Sequence, residues 1–291
     1  MVVILCERVY NNGEEFSAEV TDMERNYKII DAHTHIFPDK IADKAVASIG
    51  KFYDLPMQGG TGRPHHLDEQ GKKYGIEHFL VFSAPTTPAQ VHSINDFIHA
   101  KCQKYSRFIG LGSLHPEMEN PLKELDRVVE LGLRGLKFHP DFQQFAIDDE
   151  HMLPVYRRTA EYKLPILFHM GDKRYDFSRP RRLYNLLQKV PDLTVIAAHF
   201  GGYGQWEEAA RYLQGGKNIW FDTSSTLPMI SKDYARSLVA HFGADRLLFG
   251  TDYPMWDIGE ELERFFSLDL TGQENEQILS GNFERLFQLV P

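Results

Sequence analysis

Four short segments each place a metal-grade ligand at the end of an apolar, strand-like run. They are Ile30-Asp31-Ala32-His33-Thr34-His35, Ile166-Leu167-Phe168-His169, Val195-Ile196-Ala197-Ala198-His199 and Leu248-Phe249-Gly250-Thr251-Asp252. Successive side chains of a strand turn to opposite faces, so His33 and His35 are expected to point the same way. Imidazole and carboxylate groups converging from separate strands are what a catalytic divalent cation needs, with a coordination position left for water or substrate. His199 is either a further ligand or an unligated general base. The glycines after it, Gly201 and Gly202, let backbone approach a ligand closely. Asp252 has a bland alternative as a turn or cap residue.

These ligands need a scaffold that gathers strand ends. Strand candidates fall at Lys28–Ala32, His78–Ser83, Phe108–Ser113, Gly135–Phe138, Pro165–Phe168, Thr194–Ala198, Asn218–Phe221 and Arg246–Phe249. Helical patterns separate them at Ala89–Lys104, Pro121–Leu131, His151–Tyr162, Arg181–Lys189, Gln205–Leu213 and Lys232–His241, and Gln273–Leu289 closes the chain. Eight such units predict parallel βαβ connections, and continuous apolar runs fit strands covered on both faces. The chain has 291 residues, close to the roughly 250 of a (β/α)8 TIM barrel. No Gly-x-Gly-x-x-Gly follows the first strand to suggest a dinucleotide fold. The expected organisation is one α/β domain: residues 1–27 as a polar N-terminal extension and 28–291 as the barrel. In such a barrel the chemistry sits at the C-terminal strand ends, where all four motifs put their ligands, on strands one, five, six and eight.

The bulk composition narrows the function. With 42% hydrophobic and 25% charged residues the chain has apolar surface for a large core. A formal charge of −9 argues against a nucleic-acid surface, which would favour basic patches. A small anionic substrate remains compatible, because a local basic pocket can oppose the global charge. Cys6 and Cys102 are too few for a disulfide framework or a Cys-rich zinc site. Val2 to Cys6 is too short for a signal-peptide core, and no run approaches the roughly 18 apolar residues of a membrane span. The cytoplasm is the expected compartment. An apolar helix surface could support a homodimer.

Taken together, Asp31-Ala32-His33-Thr34-His35, the strand-five His169, His199-Phe200-Gly201-Gly202 and Gly250-Thr251-Asp252-Tyr253-Pro254 resemble the amidohydrolase superfamily. Within it they are most similar to the amidohydrolase-related group that includes aminocarboxymuconate semialdehyde decarboxylase, from about Ile29 to the end. The resemblance implies a (β/α)8 barrel holding a divalent metal, one Zn2+ as first expectation, with Mn2+ or another divalent ion as alternatives. His33, His35, His169 and Asp252 would be its ligands, and His199 would be the acid and base. Asp252 could also accept a proton from the nucleophilic water. Binuclear relatives bridge two metals with a carboxylated strand-four lysine.

In Gly135-Leu136-Lys137-Phe138-His139-Pro140, alternation turns Leu136 and Phe138 to the helices and Lys137 and His139 to the barrel mouth. Lys137 could therefore bridge metals, bind a substrate anion or be structural. His139 and Arg174 are candidate substrate contacts, as are Lys173 and Arg179, each against a solvated surface role. Asp31, on the face of His33 but deeper, reads as supporting rather than ligating. Asp222 would orient a ligand or cap a turn. Arg63, His65 and His66 lie in a Gly/Pro-rich stretch that could form part of a lid.

The leading expectation is hydrolysis of a small carboxylate, lactone or amide by a metal-activated water. The alternative is non-oxidative decarboxylation of a small unsaturated or aromatic acid, which uses the same ligands. A tautomerase or hydratase is a third enzymatic outcome. A TatD-like nuclease is disfavoured by the acidic charge and by the absence of a strand-four glutamate. A metal-free regulatory barrel is disfavoured by the full ligand set.

Overall fold

A computed structural model describes residues 27–289; the expected extension before Tyr27, with its Val2–Cys6 run, lies outside the described residues. Eight strands alternate with helices. In chain order they are β1 Ile29–His35, α1 Ala42–Tyr53, α2 Pro64–Tyr74, β2 Ile76–Phe82, α3 Val91–Lys104, β3 Phe108–Gly110, α4 Pro121–Glu130, β4 Leu136–Phe138, α5 Pro140–Gln143, α6 Leu153–Glu161 and β5 Ile166–Phe168. Then follow α7 Pro180–Lys189, β6 Val195–Ala197, α8 Trp206–Leu213, β7 Ile219–Asp222, α9 Lys232–Phe242, β8 Leu247–Leu248, α10 Ile258–Phe266, α11 Gly272–Glu276 and α12 Asn282–Phe287. Several helices open with proline in the first turn (Pro64, Pro121, Pro180), where the missing N–H costs nothing. The expected closing helix over Gln273–Leu289 is a continuous helical run from Gly272 to Phe287, in which α11 and α12 are joined through a π-helical segment at Gln277–Gly281.

Every strand pair is parallel, in two runs, β1-β2-β3 and β4 through β8. Backbone hydrogen bonds close the ring at both seams. Gly112 N–H donates to Gly135 O and Lys137 N–H to Gly112 O between β3 and β4 (3.0 and 2.8 Å). Ala32 N–H donates to Phe249 O and His35 N–H to Tyr253 O between β1 and β8 (2.8 and 2.7 Å). The fold is a (β/α)8 barrel.

Alternation then divides the strands. Phe79, Val81, Leu136, Phe138, Ile166, Phe168, Val195 and Phe221 join the outer core beneath the helices. Ile30, Ala32, Leu80, Phe82, Leu111, Leu167, Ile196, Trp220 and Leu248 fill the barrel with Phe283 and Phe287 of α12. Arg134, just before β4, donates to the Phe287 carbonyl, which puts α12 across the N-terminal end of the barrel. The interior is therefore packed below and open above, so only the C-terminal strand ends can form a site.

Strand β1 departs from simple alternation. Between Asp31 and Thr34 it carries one more residue than β2, a β-bulge. Ala32 faces inward, and the extra residue lets His33 and then His35 also face inward, while Asp31 lies outside the barrel ring. The expectation that Asp31 shares the face of His33 is thus corrected. Its carboxylate accepts from His33 N (3.0 Å), Thr251 N (3.0 Å) and Thr251 Oγ1 (2.5 Å), tying the β1 and β8 ends together.

The loops after β5 and β6 meet at Gly171, whose φ is +81°. A Cβ there would stand 2.5 Å from Gly202 Cα. Gly171→Ala is expected to cost about 2–4 kcal/mol through a left-handed backbone and a backbone clash. Denaturant unfolding with an unshifted midpoint would contradict this close approach.

Candidate active site

His33 and His35 leave β1 side by side, and Asp252 enters from the β8 end. Asp252 Oδ1 lies 3.5 Å from His33 Nε2 and 3.3 Å from His35 Nε2. One ligand atom from each of the three falls within 4.8 Å of the others. Asp252 Oδ2 accepts from Ser225 Oγ (2.5 Å), which accepts from Trp256 Nε1 (2.8 Å). Asp252 and His199 both hold left-handed backbone (φ +61° each), a strain that surrounding structure must enforce and that clusters at functional sites. Gly250 permits the β8 end to approach β1: a Cβ there would lie 2.9 Å from that of His33.

Burial, reinforced by Lys137, lowers the His33 pKa to about 4, and burial lowers that of His35. Burial alone would raise Asp252, but the surrounding imidazoles, His33 first, hold it well below the usual carboxylate range. Near neutrality the trio is two neutral imidazoles and a carboxylate, the protonation state a divalent cation requires. The tautomer suits it as well. Asp222 Oδ2 accepts from His33 Nδ1 at 2.8 Å, which leaves the Nε2 lone pair facing Asp252. Burial would raise Asp222 too, yet His33 beside it brings it to about 2. Asp222 also accepts from His199 N at 3.0 Å, so it orients two histidines rather than merely capping a turn.

His199 is fixed in the same way. Its Nδ1 lies 3.0 Å from the Ser224 carbonyl, an acceptor only, so Nδ1 carries the proton and Nε2 the lone pair. That Nε2 is 2.9 Å from His169 Nδ1. His169 therefore presents its own lone pair on Nε2, 3.6 Å from Asp141 Oδ2 and 3.4 Å from the Tyr53 hydroxyl. The structure groups His169 with His139 and Asp141 rather than with the His33–His35–Asp252 trio. The His139 and His169 rings stack at 4.0 Å, nearly parallel at 8°. The pocket above these groups opens to solvent, with about 320 Å³ of empty space counted together with its open mouth. His33, His35, His139, His169, His199 and Asp252 all line it, with Tyr53, Phe142, Met57 and Met255 as apolar walls.

By donor set, neutral tautomers and orienting carboxylate, these residues fit a divalent cation. The family model described as amidohydrolase matches residues 30–289. The chain belongs to the amidohydrolase family. Gamma-resorcylate decarboxylase of Polaromonas sp. (strain JS666 / ATCC BAA-500) is 24% identical to it over 289 residues, covering 75% of this chain and 85% of that protein. The 2-amino-3-carboxymuconate-6-semialdehyde decarboxylase of Dictyostelium discoideum is 25% identical over 241 residues, 68% of this chain and 66% of that one. Among solved structures, dihydroxybenzoic acid decarboxylase from Polaromonas sp. JS666, with bound manganese and the inhibitor 2-nitroresorcinol, superposes with a TM-score of 0.70. It is 19% identical, with 90% of this chain and 97% of that one covered. The likeness covers the fold.

The remaining candidates of this amidohydrolase sort by where their side chains go. Lys137 faces inward as expected but is fully buried, its Nζ 3.3 Å from His33 Nε2 and 4.7 Å from the centre of the Phe82 ring. Burial pulls its amine down to about 8. Arg174 is engaged elsewhere: it donates to Asp172 (2.6 Å) and to the Phe52 carbonyl. Arg179 pairs with Glu208 at 2.6 Å, and Lys173 is exposed. Of the Gly/Pro-rich stretch, Arg63 pairs with Asp43 and His65 is exposed, while His66 Nδ1 reaches the Tyr253 hydroxyl at 2.9 Å. Tyr53, Ser224, Ser225 and Asp141 escape a reading of sequence, because no local pattern marks a helix end or a serine as pocket-facing. No helix among the described residues is long and apolar enough to cross a membrane.

Proposed function

We propose that this protein is a metal-dependent decarboxylase of a small unsaturated or aromatic carboxylic acid. His33, His35 and Asp252 would hold one divalent cation, with His169 completing the set through its Nε2 lone pair. The observation that carries the reading is the convergence of His33, His35 and Asp252, in ligand-ready protonation states, in a pocket that His169 also lines. The names of the relatives favour loss of carbon dioxide over hydrolysis. Zinc is one candidate ion, and the manganese in the related barrel makes Mn2+ the other to test first.

When bound, the cation would supply positive charge to hold the acid's oxygens and the electron density left behind. The protein's own residues then manage the proton. The carbon–carboxylate bond breaks, carbon dioxide leaves without the bonding pair, and the carbon that keeps the pair must gain a proton. His199 is placed to deliver it: with its Nδ1–H anchored on Ser224, its Nε2, which accepts from His169 Nδ1–H, would take up a proton from solvent and pass it to that carbon. Asp252, ionised and adjacent, favours the protonated form of His199 by its charge. Phe142, Met57 and Met255 give the pocket apolar walls, against which a bound acid would displace water.

The test is a screen of manganese- and zinc-reconstituted protein against hydroxybenzoates, unsaturated dicarboxylic acids, lactones and amides, scoring carbon dioxide and proton balance together. Carbon dioxide released in proportion to acid consumed is the expected result. Turnover confined to lactones or amides, with acid produced and no carbon dioxide, would establish hydrolysis instead.

A further inference from the structure

The pocket mouth contains a hydrogen-bond pair that the cation chemistry leaves unused. Tyr53, the last residue of α1, and His139, just after β4, both line the pocket, with the Tyr53 hydroxyl 2.9 Å from His139 Nε2. The direction of this bond is set from behind. The backbone N–H of Phe142 donates to His139 Nδ1 at 3.3 Å, so a neutral His139 keeps its proton on Nε2 and donates it to the Tyr53 oxygen. The Tyr53 O–H is then left to donate onward. His169 Nε2, at 3.4 Å, is beyond the usual range for a hydroxyl donor. A phenol is protonated at neutral pH, so it is available as a donor there.

The pair is also held rigidly. Phe142 stacks on His139 at 3.6 Å, and Phe52 packs edge-on against Phe142 at 4.6 Å. The Arg174 guanidinium lies 4.3 Å over the Phe52 ring and 5.4 Å over Tyr53, and it donates to the Phe52 carbonyl while paired with Asp172. Arg174 thus pins the end of α1 over the pocket from the rim, a positioning role.

We propose that the Tyr53 hydroxyl, polarised by His139 and held in place by Arg174, donates to a second oxygen of the bound acid, a ring hydroxyl or second carboxylate beyond the one that is lost. The proposal rests on the acid reading above. A pre-directed donor rejects analogues that lack the matching oxygen, because it is then left unpaired in a dry site.

The experiment is calorimetric binding of 2,6-dihydroxybenzoate and benzoate to manganese-loaded wild-type protein and to Tyr53→Phe, with metal content measured in both. Wild-type protein is expected to prefer the dihydroxy acid. Tyr53→Phe should weaken that ligand by about tenfold or more while leaving benzoate within about twofold and metal content unchanged. A preference that survives in Tyr53→Phe, equal weakening of both ligands, or no preference in the wild type would overturn the donor role. Metal-loaded wild-type protein that binds neither acid would overturn the acid reading and the subsite with it.

Discussion

His33→Ala is expected to remove the divalent cation and to lower turnover by about 10³-fold or more, since the cation supplies several kcal/mol of charge stabilisation. His33 sits at the intersection of the centre: Asp222 fixes its tautomer, and its Nε2 faces both Asp252 and Lys137. Chelation of the wild-type protein should reproduce the loss, and added Mn2+ or Zn2+ should reverse it. In His33→Ala added metal should fail. Asp222→Asn offers a graded comparison, because it keeps every proposed ligand and disturbs only the orientation of His33; a 10–100-fold drop in metal affinity is expected there. Elemental analysis with activity on the same samples decides the matter. An alanine variant that retains stoichiometric metal and full turnover would remove His33 from the ligand set.

His199→Asn should behave differently. If His199 carries the proton rather than the cation, the variant keeps its metal and loses about 10²–10⁴ in kcat, the range for a positioned acid–base group. Its Nε2 contacts His169 Nδ1 and its Nδ1 is anchored on Ser224, so asparagine removes the basic nitrogen while retaining a polar group of similar reach. Metal lost in step with activity would reassign His199 as a ligand, the alternative that residue type alone left open. The two variants together separate cation binding from proton transfer.

Much of this centre is local. Apolar β-type runs place His33, His35, His169, His199 and Asp252 at strand ends, and parallel βαβ units put all those ends on one side. Alternation also correctly turns Leu136 and Phe138 outward and Lys137 and His139 inward. The same rule fails for Asp31. A bulge depends on the register with β2, which a single strand does not encode, and one extra residue reverses which face a side chain takes. The partners of Arg174 are hidden from the sequence for a related reason. A cationic side chain after a ligand strand reads as an anion contact, yet in the fold Asp172 and the Phe52 carbonyl already claim it.

By itself, then, the sequence determined the candidate ligands, the strands that carry them and the end of the barrel where they meet, because side-chain period and apolar patterning act over a few residues. Only the tertiary structure decided which atoms face one another. The His33 tautomer depends on a carboxylate 189 residues away and the Asp252 carboxylate on a serine 27 residues away. The Tyr53 donor depends on a histidine 86 residues away, itself oriented by a backbone N–H. Hydrogen-bond direction at these distances is set by what the closed barrel brings into contact, and no local run of residues carries that information.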